Sequence, residues 1–220
     1  MAERDSILIV TSCTGLKAAG EDDAPLPAER LYAGEQHRRL MRGANAFRAA
    51  PNGLELDLRI LSAGYGLVRS ERRLRSYDTS FAGLRKSEME RRSEALGIPG
   101  DLGRLLARPY CLIVLLLGED YMRAAALGPE TRLGGPAIAF GGAGLARRLH
   151  GLPALKIVPA GKREARRFSC GLVGLKGELG GRLLHLLAGR PELIPRVADP
   201  AVDVLPLLET GSQRSLPVAA

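Results

Sequence analysis

The run Tyr110-Cys111-Leu112-Ile113-Val114-Leu115-Leu116-Leu117 is apolar at successive positions and stops abruptly at Gly118-Glu119-Asp120. A strand that is apolar on both of its faces has to be covered on both sides, which is the condition of strands in parallel α/β sheets. Ser6-Ile7-Leu8-Ile9-Val10-Thr11 repeats the pattern, with a β-branched run ending at Thr11-Ser12-Cys13-Thr14. Leu54 to Leu61 alternates instead, with Leu54, Leu56, Leu58 and Ile60 set against Glu55, Asp57 and Arg59, and so predicts a strand with one wetter face. It too ends in small polar residues, Ser62-Ala63-Gly64-Tyr65-Gly66. Ala137 to Phe140 and Leu155 to Pro159 read as further strands.

Between these runs the spacing is helical. Leu31, Leu40, Met41 and Phe47 among charges predict a helix over 28–47. Ser87 to Leu96, Gly100 to Ala107, Tyr121 to Leu127, Leu145 to His150 and Arg182 to Leu187 read as further helices. The β-then-α order predicts an α/β fold, a largely parallel sheet flanked by helices in a three-layer sandwich. Residues 1–198 are expected to form a single domain. From Asp199 the chain becomes Pro- and Ser-containing without clear period, so 199–220 are expected to be a loosely held tail.

At 220 residues the chain can bury a core without disulfides or metal staples. Cys13, Cys111 and Cys170 are widely spaced, which fits a reducing compartment. The charged N-terminus lacks the apolar h-region of a signal peptide, and the longest apolar stretch, Cys111 to Leu117, is far short of the ~20 residues of a membrane helix. A cytoplasmic protein with no membrane partner is therefore expected. The formal charge of +8 suits polyanion partners such as DNA or RNA, and equally suits a solvated surface in an arginine-rich, GC-biased sequence.

In parallel sheets the ligand crevice lies beyond the carboxyl ends of the strands, where loops meet helix N-termini. Ser12, Cys13, Thr14 and Lys17 follow the first strand. They either hold an anion or nucleobase edge or form a capped turn. Ser62, Gly64, Tyr65 and Gly66 follow the next, where glycines permit close backbone approach and Tyr65 can stack a planar base. Tyr77 and Asp78 add an aromatic and a carboxylate able to orient water, act as base or cap a turn. Glu119 is a helix-capping acid or a ligand contact. The glycine-rich 171–181 has the makings of a phosphate loop, yet it is not G-x-x-x-x-G-K-[ST], and Gly141 to Gly144 is only a fragment of a dinucleotide fingerprint. His37, His150 and His185 stand far apart, without zinc-like spacing, so no metal or cofactor is called for.

Taken together, Ser12-Cys13-Thr14 with Lys17, Leu31-Tyr32-Ala33-Gly34, Leu61-Ser62-Ala63-Gly64-Tyr65-Gly66-Leu67, Tyr77-Asp78, Gly118-Glu119-Asp120-Tyr121 and the glycine-rich Leu175 to Gly181 form a known pattern. The chain resembles the YaaA-like (peroxide-stress) proteins and their small bacterial and phage cousins, from about Ile7 to Leu187 through short motifs. The resemblance implies an α/β fold related to uracil-DNA glycosylases and to the archaeosine synthase domain. It places Tyr32 in a Leu-Tyr-x-Gly motif on a helix, among the ligand contacts. The synthase's Pro-Cys-Ser-x-x-Lys-Pro-Tyr motif is matched here only by Ser12-Cys13-Thr14-Gly15-Leu16-Lys17, with a displaced lysine and neither Pro nor Tyr.

The resulting expectation is a protein that takes a nucleobase, nucleoside or nucleotide and processes an N-glycosidic bond. Asp78, Ser12 and Lys17 would carry the chemistry. The alternatives are a non-catalytic nucleic-acid-binding stress or defence protein and a nucleotide sensor. Nucleic-acid contact would use Arg69, Arg72, Arg73 and Arg75, with Arg38, Arg39, Arg166 and Arg167.

Overall fold

The computed structural model describes residues 5–18 and 24–210. In chain order its elements begin with β1 (Ser6–Ser12), β2 (Leu26–Pro27), α1 (Ala28–Leu31), α2 (Glu35–Ala49), β3 (Glu55–Ser62), β4 (Gly66–Arg69) and β5 (Arg73–Leu74). They continue with α3 (Lys86–Ala95), α4 (Ile98–Leu106), β6 (Leu112–Leu116), α5 (Glu119–Ala124), β7 (Ala137–Gly141), α6 (Ala143–Arg148), β8 (Leu155–Pro159) and α7 (Lys162–Arg167). Last come α8 (Leu172–Gly189), α9 (Ile194–Ala198) and α10 (Leu205–Thr210).

Six strands form the central sheet in the order β4-β3-β1-β6-β7-β8. All neighbours are parallel except β4, which turns back antiparallel on β3. Helices cover both faces, giving the α/β three-layer sandwich that the apolar strands predict. Every residue of β1 and of β6 is buried, because successive side chains enter opposite cores. Leu8, Val10, Ile113 and Leu115 pack with Leu102, Leu106 and Met122 on one face. Ile7, Ile9, Val114 and Leu116 pack with Leu40, Leu179 and Leu183 on the other. From β1 the chain crosses to β3 on one side, and from β6 it crosses to β7 on the other. The order therefore reverses between the carboxyl ends of β1 and β6, which is where α/β sheets open a crevice.

Three expectations are corrected. The helix expected over 28–47 breaks at Tyr32-Ala33-Gly34, so Tyr32 is not helical. There the backbone serves the loop after β1: Ala33 N–H donates to Leu16 O at 3.0 Å, and Lys17 and Tyr32 form a β-bridge. The glycine-rich 171–181 is no phosphate loop but the first half of the 18-residue α8. Its glycines let α8 lie backbone to backbone on α2: a Cβ on Gly177 would fall on the Gln36 carbonyl, and one on Gly43 would fall on that of Gly181. Residues 199–210 are not loose either, since Val204, Leu205 and Leu208 are buried against α8's layer. There Glu209 pairs with Arg167 at 2.5 and 2.7 Å, and Arg182 Nη1 donates to Leu208 O at 3.3 Å. Residues 211–220 of the expected tail lie outside the described residues. Lys156, buried in β8, donates to the carbonyls of Val197 at 3.1 Å and Asp199 at 2.7 Å, tying down the end of α9. Among the described residues no helix is long and apolar enough to cross a membrane.

Candidate functional site

The reversal point is held together by one side chain. Gln36, in the first turn of α2, donates through Nε2 to Thr11 Oγ1 at 3.2 Å, to Ser12 Oγ at 3.4 Å and to Leu116 O at 3.0 Å. It thereby spans the ends of β1 and β6. Ser12, expected to act in catalysis, is buried and engaged as an acceptor by this clamp. Thr14 is also occupied, since Oγ1 accepts from Gly34 N–H and donates to Leu16 O, both at 3.0 Å. It fixes the entry to α2, and a Cβ on Gly34 would lie 2.5 Å from Thr14 Cβ.

On the opposite face of the sheet a group of phenols surrounds the end of β1. Cys13, only 6% exposed, sits with Sγ 3.0 Å from Tyr121 Oη and against the phenol of Tyr77. Tyr77 Oη lies 2.8 Å from Ser62 Oγ and 3.0 Å from Tyr32 Oη. Ser62 Oγ accepts from the amides of Gly64 at 3.3 Å and Tyr65 at 3.1 Å. With both lone pairs so used, the Ser62 hydroxyl donates to Tyr77, whose own proton is then directed at Tyr32 or Cys13. Burial pushes the Tyr32 phenol up to about 12 and raises Tyr77 and Tyr121 further, with the nearby Cys13 thiol adding to both. The phenols are thus neutral at ordinary pH, hydrogen-bonding groups that neither give up a proton readily nor act as bases.

The chain between β3 and α3 brings Tyr77 back over this site. After β4 it runs beside the edge of the sheet, pairs β5 with β2, and returns. On the return Arg75 O accepts from Tyr65 Oη at 3.2 Å. Tyr77's ring then covers Gly64, where a Cβ would come within 2.7 Å of it, and meets Tyr65 edge to face at 5.3 Å. Gly66 has φ of +74°, and its missing side chain makes room for Leu96 O. Lys17 Nζ stands 4.3 Å above the Tyr77 ring, a cation–π contact that leaves most of its hydrogen-bonding capacity unspent. Its one further side-chain contact among the described residues is to Gly15 O, at 3.4 Å.

Tyr121 was in view as part of Gly118-Glu119-Asp120-Tyr121, whereas Gln36 and a second cation escaped the sequence reading. Lys176, on α8, donates to Leu117 O at 2.5 Å, directly beyond β6. Burial holds its ammonium below the usual lysine range, partly opposed by Glu119. Lys17, in the loop after β1, and Lys176, against the chain just beyond β6, thus both stand at the carboxyl end of the sheet. No local pattern marks Lys176, whose role depends on α8 crossing the end of the sheet.

The other expected residues stand apart. Asp78 is exposed and makes no hydrogen bond or ion pair among the described residues. Glu119 has a 60% exposed side chain in the first turn of α5, 3.8 Å from Arg123, and suits a helix-dipole role. Arg69, Arg72, Arg73 and Arg75 are exposed on the excursion between β4 and Tyr77. Arg38, Arg39 and Arg167 are paired with Glu35, Glu178 and Glu209, while Arg166 is exposed. Among the described residues no group of three His, Cys, Asp or Glu is placed to hold a metal ion. No protein-family model matches the chain, and no curated protein is significantly similar to it in sequence. Fold and site define a class all the same: a parallel α/β protein whose polar and aromatic residues gather at the strand-order reversal.

Proposed function

We propose that the chain binds a nucleobase-bearing small molecule, a nucleoside or nucleotide, in the crevice above β1, β3 and β6. The observation that carries this reading is Lys17 poised over Tyr77 beside the half-buried Tyr65 ring, which sets an aromatic surface next to an unspent cation. A base stacks on such rings, and an ammonium takes a phosphate or the charge of a departing base. Ser62 serves here to hold Tyr77 rather than to read the base edge, because its oxygen is already saturated. The accompanying chemistry is cleavage or exchange at the N-glycosidic bond, with Asp78, next in sequence to Tyr77, orienting water at the sugar carbon while the base leaves with a proton. The sequence resemblance to YaaA-like proteins supports this substrate class.

A thermal-shift screen over nucleobases, nucleosides, nucleotides and oligonucleotides tests it, since ligand at a hundredfold excess over Kd stabilises by about 2.7 kcal/mol. Nucleosides or nucleotides should raise Tm in the native chain and not in Lys17→Met or Tyr77→Leu. Release of free base, abolished in Asp78→Ala, would establish turnover, and unchanged turnover in that variant would remove Asp78 from it. The exposed Arg69, Arg72 and Arg73 favour a second reading as a nucleic-acid-binding protein. That reading requires an oligonucleotide affinity that falls steeply with salt.

A further inference from the structure

On their outer side α2 and α8 part around a recess of about 470 Å³, within the size range of small-ligand sites. Arg42, six residues on from Gln36, places the outer part of the recess about 9 Å further along α2. Its wall brings together Arg39 and Arg42 from α2, Arg182 and His185 from α8, and Ser169 from the turn after α7. Glu178, the one carboxylate on that wall among the described residues, is largely buried and orients two of the guanidiniums: Arg39 Nη1 at 2.8 Å and Arg182 Nε at 2.6 Å. Arg182 is held further by the Phe168 ring, 5.2 Å from its guanidinium.

Arg42 is different. It is 71% exposed, and its nearest nitrogen is 3.8 Å from Glu178, beyond hydrogen-bond reach, so its donors are unspent among the described residues. The His185 ring and the Ser169 hydroxyl likewise have no hydrogen-bond partner among the described residues. Ser169, with φ of +50°, ends α7 in a left-handed cap, its N–H on Arg166 O at 3.1 Å and that of Cys170 on Ala165 O at 2.9 Å, and it contributes to the recess wall. The wall itself carries Arg39, Arg42 and Arg182 against the single carboxylate, among the described residues, of Glu178. The surplus of two positive charges equals the charge of a phosphate monoester at neutral pH.

We propose that the recess is a second, phosphate-binding site, in which Arg42, Arg182, His185 and Ser169 take the phosphoryl oxygens of a small phosphorylated molecule. Planar guanidiniums pre-set by a carboxylate suit the bidentate recognition that phosphate invites. The site is separate from the carboxyl-end crevice and stands whether or not that crevice takes a nucleobase.

Isothermal titration with inorganic pyrophosphate at low ionic strength tests the site. Saturable one-to-one binding is expected, weakened about tenfold or more by Arg42→Glu, as for loss of a charged donor. Arg42 is exposed, so this variant should fold normally. Ser169→Gly, which suits the left-handed cap, should keep the fold while weakening binding. Lys17→Met should leave the affinity unchanged. Tighter binding of glycerol phosphate, which carries no base for the crevice, than of inorganic phosphate would assign an ester as ligand, and equal binding would assign the bare phosphoryl group. Absence of saturable heat at millimolar pyrophosphate would overturn the proposal. So would an affinity unchanged in Arg42→Glu and lost in Lys17→Met, which would put the anion in the crevice.

Discussion

The two faces of the sheet are closed by opposite means at the same height. On one, α2 and α8 meet through Gly43, Gly177 and Gly181 with backbone against backbone, leaving no volume for a side chain. On the other, Tyr32, Tyr65 and Tyr77 meet through hydroxyls and ring edges, with Tyr121 joined through Cys13, an arrangement with rotatable hydroxyls. The first is a rigid hinge pin that aims Gln36 and Lys176 at the strand ends. The second can adapt to a ligand. Rigid support beneath an adaptable aromatic surface is the division of labour that a binding crevice needs.

The largest expected effect breaks the rigid side. Gly177→Leu should destabilise the chain by more than about 4 kcal/mol or prevent folding, because the atom in the way is the Gln36 carbonyl. Gly64→Ala meets only the Tyr77 ring, which can swing away, so urea denaturation should show a cost near 1 kcal/mol. Equal costs would erase the contrast. Next, Tyr77→Phe leaves the buried Ser62 and Tyr32 hydroxyls each short of a partner. It should cost about 1–3 kcal/mol in the same assay, and no loss would mean that the hydroxyl chain is not formed.

The phenols also set an alkaline limit. Tyr32 is raised from 10 to about 12, so its contribution to stability is full below pH 10 and is lost as pH climbs from 10 through 12. Ultraviolet titration should show Tyr32, Tyr77 and Tyr121 ionising only as the chain unfolds. Reversible ionisation near pH 10 with the fold intact would contradict their burial.

At the acid end, His37 is buried with Nε2 on Glu29 O at 2.9 Å and Nδ1 unpartnered, and burial lowers its pKa below 6.5. It must charge as the chain unfolds in acid, so stability should fall as pH drops below 6.5. His37→Gln should flatten that fall. Smallest of all, Arg72→Ala should change stability by no more than about 0.5 kcal/mol while lowering any oligonucleotide affinity.

Much of the sheet was legible because β1 and β6 carry apolar residues on both faces, a pattern that only a doubly covered strand explains. The meeting of Ser62 with Tyr77 was approachable too, since a strand end and a short excursion keep them 15 residues apart. What was hidden depended on distant contact. Glycines at 174, 177 and 181 read locally as a loop, and only the approach of α2 shows why they are helical. Tyr32 read as helical because Leu31 and Leu40 share a period, whereas its backbone is claimed by the loop after β1. Lys176 and Gln36 reach the crevice from helices whose crossing no spacing rule encodes. Ser12 and Thr14 were visible as polar strand-end residues, but that their oxygens are taken by Gln36 and Gly34 was not.

The chain has five tyrosines and no tryptophan, and four of the five stand at the crevice, so its intrinsic fluorescence reports almost wholly on the proposed site. Titration with nucleosides and nucleotides should give saturable quenching in the native chain and in Arg42→Glu, and little in Lys17→Met. Absence of saturable quenching by any nucleobase-bearing ligand would contradict the account of the crevice.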